Sequence, residues 1–233
     1  MRALRQFRLP VLCLLLVLTP AIRAQGPLPG QLSDGEFWKL VTDSSEEGGG
    51  FLSENFVSNE LGYPYVIPGL VQRVKPGGAY LGVGPEQNFT YVAAIHPKIA
   101  FIVDIRRQNM IEHLLYKAIF ELSPNRTEFL SRLFARKPAA EVRRNASPAE
   151  LFSAFASVPE DLVLSRETLE TIKTHLTKKH RFALTPEDES TLEHVYAEFA
   201  RDGGEIRYSV NNLAPGAPIV VQGPAGDIQI IST

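Results

Sequence analysis

An apolar run stands near the start of the chain: Leu9 to Ile22 reads LPVLCLLLVLTPAI, behind the basic stretch MRALRQFR. With Pro10 and Pro20 inside it, the run falls short of the ~20 residues that a spanning helix needs. Arg23-Ala24 then places a small residue at a cleavage position. Residues 1–24 are therefore expected to be a signal peptide. The remainder would be exported, periplasmic or extracellular, with no stable membrane span after cleavage. Residues 25–50 read as a flexible Pro/Gly-rich leader and an N-terminal helix. Ser33 is the cap of that helix and Glu36, three residues on, completes a capping box. Three glycines at 48–50 should stop the helix.

From residue 51 the spacing changes. Ala79-Tyr80-Leu81-Gly82-Val83 reads as a buried strand, and Gly84-Pro85-Glu86-Gln87 as a tight turn into a helix over Asn88 to Ile95. His96-Pro97 ends that helix, and Ile99 to Val103 is a second apolar run of strand length, closed by Asp104. Strand, helix and strand in so short a span predict a parallel βαβ unit. Beyond Gln108 apolar residues recur at helical spacing in five successive segments. The first runs to Ser123 and the second spans Phe129 to Phe134. The third opens at Ser147, the fourth covers Ser165 to His180, and the fifth runs from Thr185 to Arg201. Short runs at Ile219–Val221 and Ile228–Ile231 flank Gly223-Pro224-Ala225-Gly226 and predict a hairpin. The domain reading is thus a signal at 1–24, a leader and helix at 25–50, a βαβ core at 51–136, a helical region at 137–205, and a hairpin or tail at 206–233.

Composition narrows the chemistry. Lys and Arg number 24 against 26 acids, so nothing supports a broad nucleic-acid surface. Cleavage after Ala24 would remove Arg2, Arg5, Arg8 and Arg23, leaving a net charge of −6. It would also remove Cys13, the single cysteine. A Cys-based zinc cluster and a cysteine nucleophile are thereby excluded. His175, His180 and His194 show no ligand spacing such as His-Glu-x-x-His, so no metal is expected. Asn88-Phe-Thr, Asn125-Arg-Thr and Asn145-Ala-Ser match the glycosylation acceptor pattern, which is weak evidence at this length.

The candidate chemistry lies in the βαβ unit. Gly82 and Gly84 would let backbone approach a ligand, and the helix N-terminus around Glu86 offers N–H groups. Asp104, at the tip of the next strand, stands where a ribose's paired hydroxyls would be held. Gln87 occupies the place of the third glycine of the dinucleotide fingerprint. Ser58, Asn59 and Glu60 form a polar cluster that could contact the ligand; helix capping by Ser58 is an equal reading. Arg106, Arg107 and Gln108 could meet an anionic group, although a solvated helix start accounts for them more simply. His113 could face the pocket or serve as a surface or capping residue.

Gly82-Val83-Gly84-Pro85 through Asn88-Phe89-Thr90 resembles the first motif of class I S-adenosylmethionine-dependent methyltransferases, and Ile102-Val103-Asp104-Ile105 resembles their second strand with its ribose-binding acid. More closely, SNEL at Ser58–Leu61, YLGVGPEQNFTY at Tyr80–Tyr91 and FIVDIRRQN at Phe101–Asn109 resemble an uncharacterised bacterial family with a methyltransferase-like fold. The resemblance implies an α/β protein with a Rossmann-like βαβ core and a largely helical C-terminal half. It also implies S-adenosylmethionine as the possible cofactor, or another small-molecule nucleoside as ligand, and methyl transfer if the protein is an enzyme. Tyr80 stands where methyltransferases usually carry an acid. Too few strands follow the second to finish such a sheet, so a truncated or diverged C-terminus is expected. An exported chain would also be separated from cytoplasmic S-adenosylmethionine. The alternative is therefore an exported non-catalytic protein that keeps the fold as scaffold.

Overall fold

The helix boundaries are written in local capping chemistry. In the computed structural model, which describes residues 30–46, 54–58, 62–206, 219–222 and 228–231, Ser33 accepts from the Glu36 N–H while the Glu36 carboxylate accepts from the Ser33 N–H, opening α1 (Asp34–Ser44). The same reciprocal box opens α6 (Pro148–Ala156) with Ser147 and Glu150, and α8 (Pro186–Asp202) with Thr185 and Asp188. Both of these helices carry proline in the first turn, where its missing N–H costs nothing. Asn125 caps α5 (Arg126–Leu133), and Asp161 caps α7 (Leu162–Thr174) by accepting from two N–H groups. Because Asp161 captures those donors, α7 starts three residues ahead of Ser165, where apolar spacing alone places it.

A 3₁₀ turn at Tyr63–Val66 leads into α2 (Ile67–Arg73). Strand β1 (Ala79–Val83), helix α3 (Gln87–Ile95) and strand β2 (Ile99–Val103) follow as expected from the sequence. The strands pair in parallel, with Ala79 opposite Ile99 and Val83 opposite Val103. His96 adopts a left-handed conformation (φ 49°) that closes α3. A separate antiparallel pair joins β3 (Ile219–Gln222) to β4 (Ile228–Ile231), as the hairpin pattern predicts. The fold is thus α/β and mostly helical, with a small two-stranded parallel sheet. One expectation needs correcting: β1 is not buried on both sides. Leu81 is 72% and Val83 65% exposed, while Gly82 is buried. With only two strands, the face bearing Tyr80 and Gly82 packs inward and the alternate side chains point away from it.

The core is built on α4 (Arg107–Leu122). Ile111, Leu115, Ala118 and Ile119 are completely buried, and α4 packs most extensively against α8, with α5 and α7 also in contact. Leu192, Val195, Tyr196 and Phe199 are the facing residues of α8. Phe89 of α3 places its ring edge-on to Tyr116 (5.5 Å) and Phe120 (5.7 Å), which seats the βαβ unit on α4. Phe56 is buried and meets Phe199 at 6.4 Å, joining the preceding segment to the same core. No helix among the described residues is long and apolar enough to cross a membrane.

The N-terminus of α4 is fixed to α8 by a bidentate ion pair. Arg107 donates from Nε and Nη2 to the two oxygens of Asp188, at 2.6 and 2.8 Å. Asp188 is buried and is also the third-position acid of the Thr185 capping box. Burial acts to raise its carboxyl, but Arg107 and the Thr185 N–H outweigh that and hold it below the usual range. A folded value below the unfolded one contributes stability above the unfolded value, and this is lost as pH falls through the folded value. Asp188→Ala should therefore reduce unfolding free energy by roughly 2–4 kcal/mol in urea denaturation at pH 7. The gap to wild type should narrow on acidification below about pH 4.

Candidate functional site

The carboxyl ends of β1 and β2 bring the sequence-predicted residues together. The Gly84 N–H donates to the Val103 carbonyl (3.3 Å), which continues the strand pairing into the turn and sets Asp104 beside it. Gly84 has φ +90°, a conformation that disfavours any side chain. The glycine at 82 has a different reason. A Cβ there would lie 1.9 Å from Asn88 Oδ1 and 2.6 Å from the Tyr80 ring. Its absence makes room for the neighbouring side chains.

Asn88 is the centre of the turn. It is buried, and its Nδ2 donates to the carbonyls of Val83, Gly84 and Pro85 at 3.1, 3.0 and 2.8 Å. Its Oδ1 accepts from the Tyr80 hydroxyl at 2.7 Å. Tyr80, which replaces the expected acid, thus braces the turn from inside. Sequence reasoning took Asn88 only as a helix residue and a glycosylation acceptor. Of the other acceptor matches, Asn125 uses its side chain as the cap of α5.

Glu86 lies one residue before α3, and both its carboxylate oxygens accept from the Ser58 N–H, at 3.1 and 3.0 Å. Burial raises its carboxyl, and the Ser58 N–H offsets part of that rise. Ser58 therefore reaches the site through its backbone. Asn59 and Glu60 lie outside the described residues, as does the expected signal peptide. Asp104 Oδ1 accepts from the Arg106 N–H at 2.8 Å, so Arg106 shapes the loop after β2 through its own backbone. Arg107 and Gln108, expected at a solvated helix start, instead reach across to Asp188 and Glu54.

Beneath these groups lies an acid that sequence reasoning missed. Glu112, on α4, is 0% exposed. Its Oε1 accepts from the Tyr116 hydroxyl at 3.1 Å, and its Oε2 has no hydrogen-bond partner among the described residues. Burial pushes its carboxyl well above the usual range; the Tyr116 hydroxyl opposes this, and the charges of Glu86 and Asp104 add to it. The Glu112 carboxyl is therefore harder to ionise than an ordinary glutamate's. Its neighbour His113 faces the turn, with Nε2 3.0 Å from the Gly84 carbonyl oxygen, and burial lowers its basicity. Gln87 Oε1, at the first residue of α3, is also buried without a partner. The only sequence signal for this layer was the place of Glu112 among apolar neighbours at helical spacing.

Glu86, Asp104, Glu112 and Tyr116 form an electrostatically coupled set under the strand tips, suited to accepting from hydroxyl or amino groups of a small molecule. Of the three histidines without a recognisable ligand spacing, His175 and His180 converge on Glu121, away from the glycine turn.

Residues 55–197 match the model of a family described as a domain of unknown function, DUF7790. The chain belongs to this family. Its matched span runs from the segment before the 3₁₀ turn nearly to the end of α8, and so covers the parallel strands, the glycine turn and the helical core together. No curated protein and no solved structure matches the chain.

The upward shift of the Glu112 carboxyl has a measurable consequence. A carboxyl raised in the folded state binds an extra proton on folding, so its effect is absent below the unfolded value and grows unfavourably as pH rises towards the folded value. The near-isosteric Glu112→Gln should differ least from wild type at or below about pH 4 and gain on it progressively as pH rises above the ordinary glutamate range. Chemical denaturation across that range reads the divergence; parallel pH profiles would show Glu112 to be ordinary.

Proposed function

We propose that this protein binds a nucleoside-type small molecule at the carboxyl ends of β1 and β2, with S-adenosylmethionine the ligand to test first. The observation that carries the reading is the parallel pairing that sets the positive-φ Gly84 beside Asp104, with α3 starting immediately after the turn. In open α/β sheets ligands bind outside the carboxyl ends of the strands. Asp104 would accept from the two ribose hydroxyls, since among the described residues only its Oδ1 receives a hydrogen bond. Gly84 and Glu86 would shape the approach of the ligand's amino acid portion, and the buried Glu112 lies beneath them, donating a hydrogen bond when protonated. Ser58 and Arg106 would frame the opening through the backbone contacts already described. If the protein is a methyltransferase, positioning alone can carry the chemistry, and no side chain need act as a general base. The Rossmann-like character of the core belongs to this same proposal.

A second reading is favoured by the self-sufficiency of the turn. Gly82 is accounted for by Asn88 and Tyr80, and Glu86 already binds the Ser58 N–H. On that reading the protein is an exported, non-catalytic one in which the motif persists as scaffold. Calorimetric titration with S-adenosylmethionine and S-adenosylhomocysteine separates the two. The ligand reading expects saturable heat that falls at least about tenfold in affinity for Asp104→Ala, equivalent to ~1.4 kcal/mol. Absence of heat at saturating concentrations of both compounds would leave the scaffold reading.

A further inference from the structure

We propose that Glu121, His175 and His180 bind a divalent transition-metal cation, with zinc the best match. This site is remote in sequence from the glycine turn and does not rest on the nucleoside reading. The Nε2 atoms of His175 and His180 both point at Glu121 Oε2, at 2.9 and 2.7 Å, and one ligand atom from each residue lies within 4.8 Å of the others. Both imidazoles are almost fully buried, 9% and 7% exposed. Two rings aiming the same nitrogen at one carboxylate oxygen form a His₂Glu donor set once those nitrogens give up their protons, which suits a tetrahedral zinc ion and leaves one position for water or a solute.

The backbone accounts for the convergence. After α7 the chain widens into a π turn over His175–Lys179, and the His180 N–H donates to the His175 carbonyl at 3.1 Å. An i, i+5 step in this wider turn brings the rings to 4.9 Å between centroids, edge to face. In a regular α-helix residues five apart would diverge by well over a right angle. Turns of this kind are frequent at functional sites. His180 is further fixed by stacking on Phe182 at 5.2 Å, and Phe182 in turn stacks on Trp38 of α1 at 4.9 Å.

The outer contacts also suit a metal. Asp34 Oδ1 lies 2.9 Å from His180 Nδ1, so a carboxylate can orient the ring through its far nitrogen, the arrangement that supports metal-bound histidines. Lys117 donates to Glu121 Oε1 at 2.6 Å, leaving Oε2 as the inward-facing oxygen. Burial acts to raise the Glu121 carboxyl, but Lys117, His175 and His180 outweigh it and keep it ionised. Lys179 Nζ, 3.4 Å from the same Oε2, is the cation a metal would displace, and its side chain is 60% exposed and able to swing away. Bonds of ~2.0–2.1 Å imply ligand–ligand edges of about 3.3 Å, so each ring has to part from Oε2 by about half an ångström while the two nitrogens, within 4.8 Å of each other, settle at the same edge. A surface cleft bordered by Asp34, Trp38, Lys179 and His180 opens the His180 side of the cluster to solvent.

The test is titration of the untagged, chelator-treated full chain with Co²⁺, followed by displacement with Zn²⁺. One equivalent of Co²⁺ should give the intense visible bands of a tetrahedral site, and Zn²⁺ should abolish them. Asp34→Asn should weaken binding ~10–100-fold while keeping the spectrum. Glu121→Gln, nearly isosteric and so the least disturbing to the fold, should remove stoichiometric binding, as should His175→Ala and His180→Ala. If wild type shows no tetrahedral spectrum, or Glu121→Gln binds as wild type does, the cluster is a hydrogen-bonded brace and the proposal fails.

Discussion

Burial of α4 on nearly every side is the constraint from which the rest of this structure follows. A two-stranded parallel sheet cannot enclose a core, because each strand has one neighbour and one covered face. The burden therefore passes to a helix that can be packed around its circumference. The apolar positions of α4 meet α8, α5 and α7, and Phe89 brings the βαβ unit onto the same helix. Once a helix is buried all round, any polar residue on it is buried too. Glu112 is where that happens, and its position on the same helix turn as the apolar core explains why an acid sits unexposed beneath the strand tips. The Arg107–Asp188 pair then fixes how far α4 can slide along α8, because a bidentate contact tolerates little displacement.

Much of the fold was legible because its determinants are local. Ser33 with Glu36, Ser147 with Pro148 and Glu150, and Thr185 with Pro186 each declare a helix start within four residues, and all three helices begin there. The five helices after Gln108 and the parallel strand pair were readable from spacing alone. What escaped depends on contacts between distant segments or on irregular backbone. Glu121 and His175 are 54 residues apart, and the two histidines share a face only because of a π turn that no periodicity announces. The partners of Arg107 and Gln108 lie 81 and 54 residues away, so a surface start was the reasonable reading of both. At the candidate site Gly84 and Asp104 were placed correctly beside one another, whereas the reason for Gly82 was not. It answers to Asn88 and Tyr80 rather than to space for a ligand.

The two sites differ in how their polar groups are satisfied. Around the glycine turn the backbone is held by the protein's own side chains, while Glu112 Oε2 and Gln87 Oε1 are left over. A buried carboxyl oxygen without a donor costs on the order of 1–3 kcal/mol, so these are the atoms to which an incoming ligand or an ordered water would add most. Around Glu121 the balance is reversed. Its oxygens face Lys117, His175, His180 and Lys179, so both carry donors already. The first site would gain most from a hydroxyl or amino group, whereas at the second a cation has to take the place of donors already present.

Asn88 carries a consequence for the order of events during synthesis. The same amide that gathers three carbonyls beneath the turn belongs to an Asn-Phe-Thr acceptor sequence. A sugar joined to that nitrogen leaves one N–H where the turn uses both, and attaches a bulky group in a space with no room for it. In any compartment that holds a glycosylating enzyme, closure of the turn and modification of the nascent chain are therefore in a race with one winner. A glycan at residue 88 would mark molecules that lost it, which makes the occupancy of that asparagine a clock for how fast β1 and α3 come together.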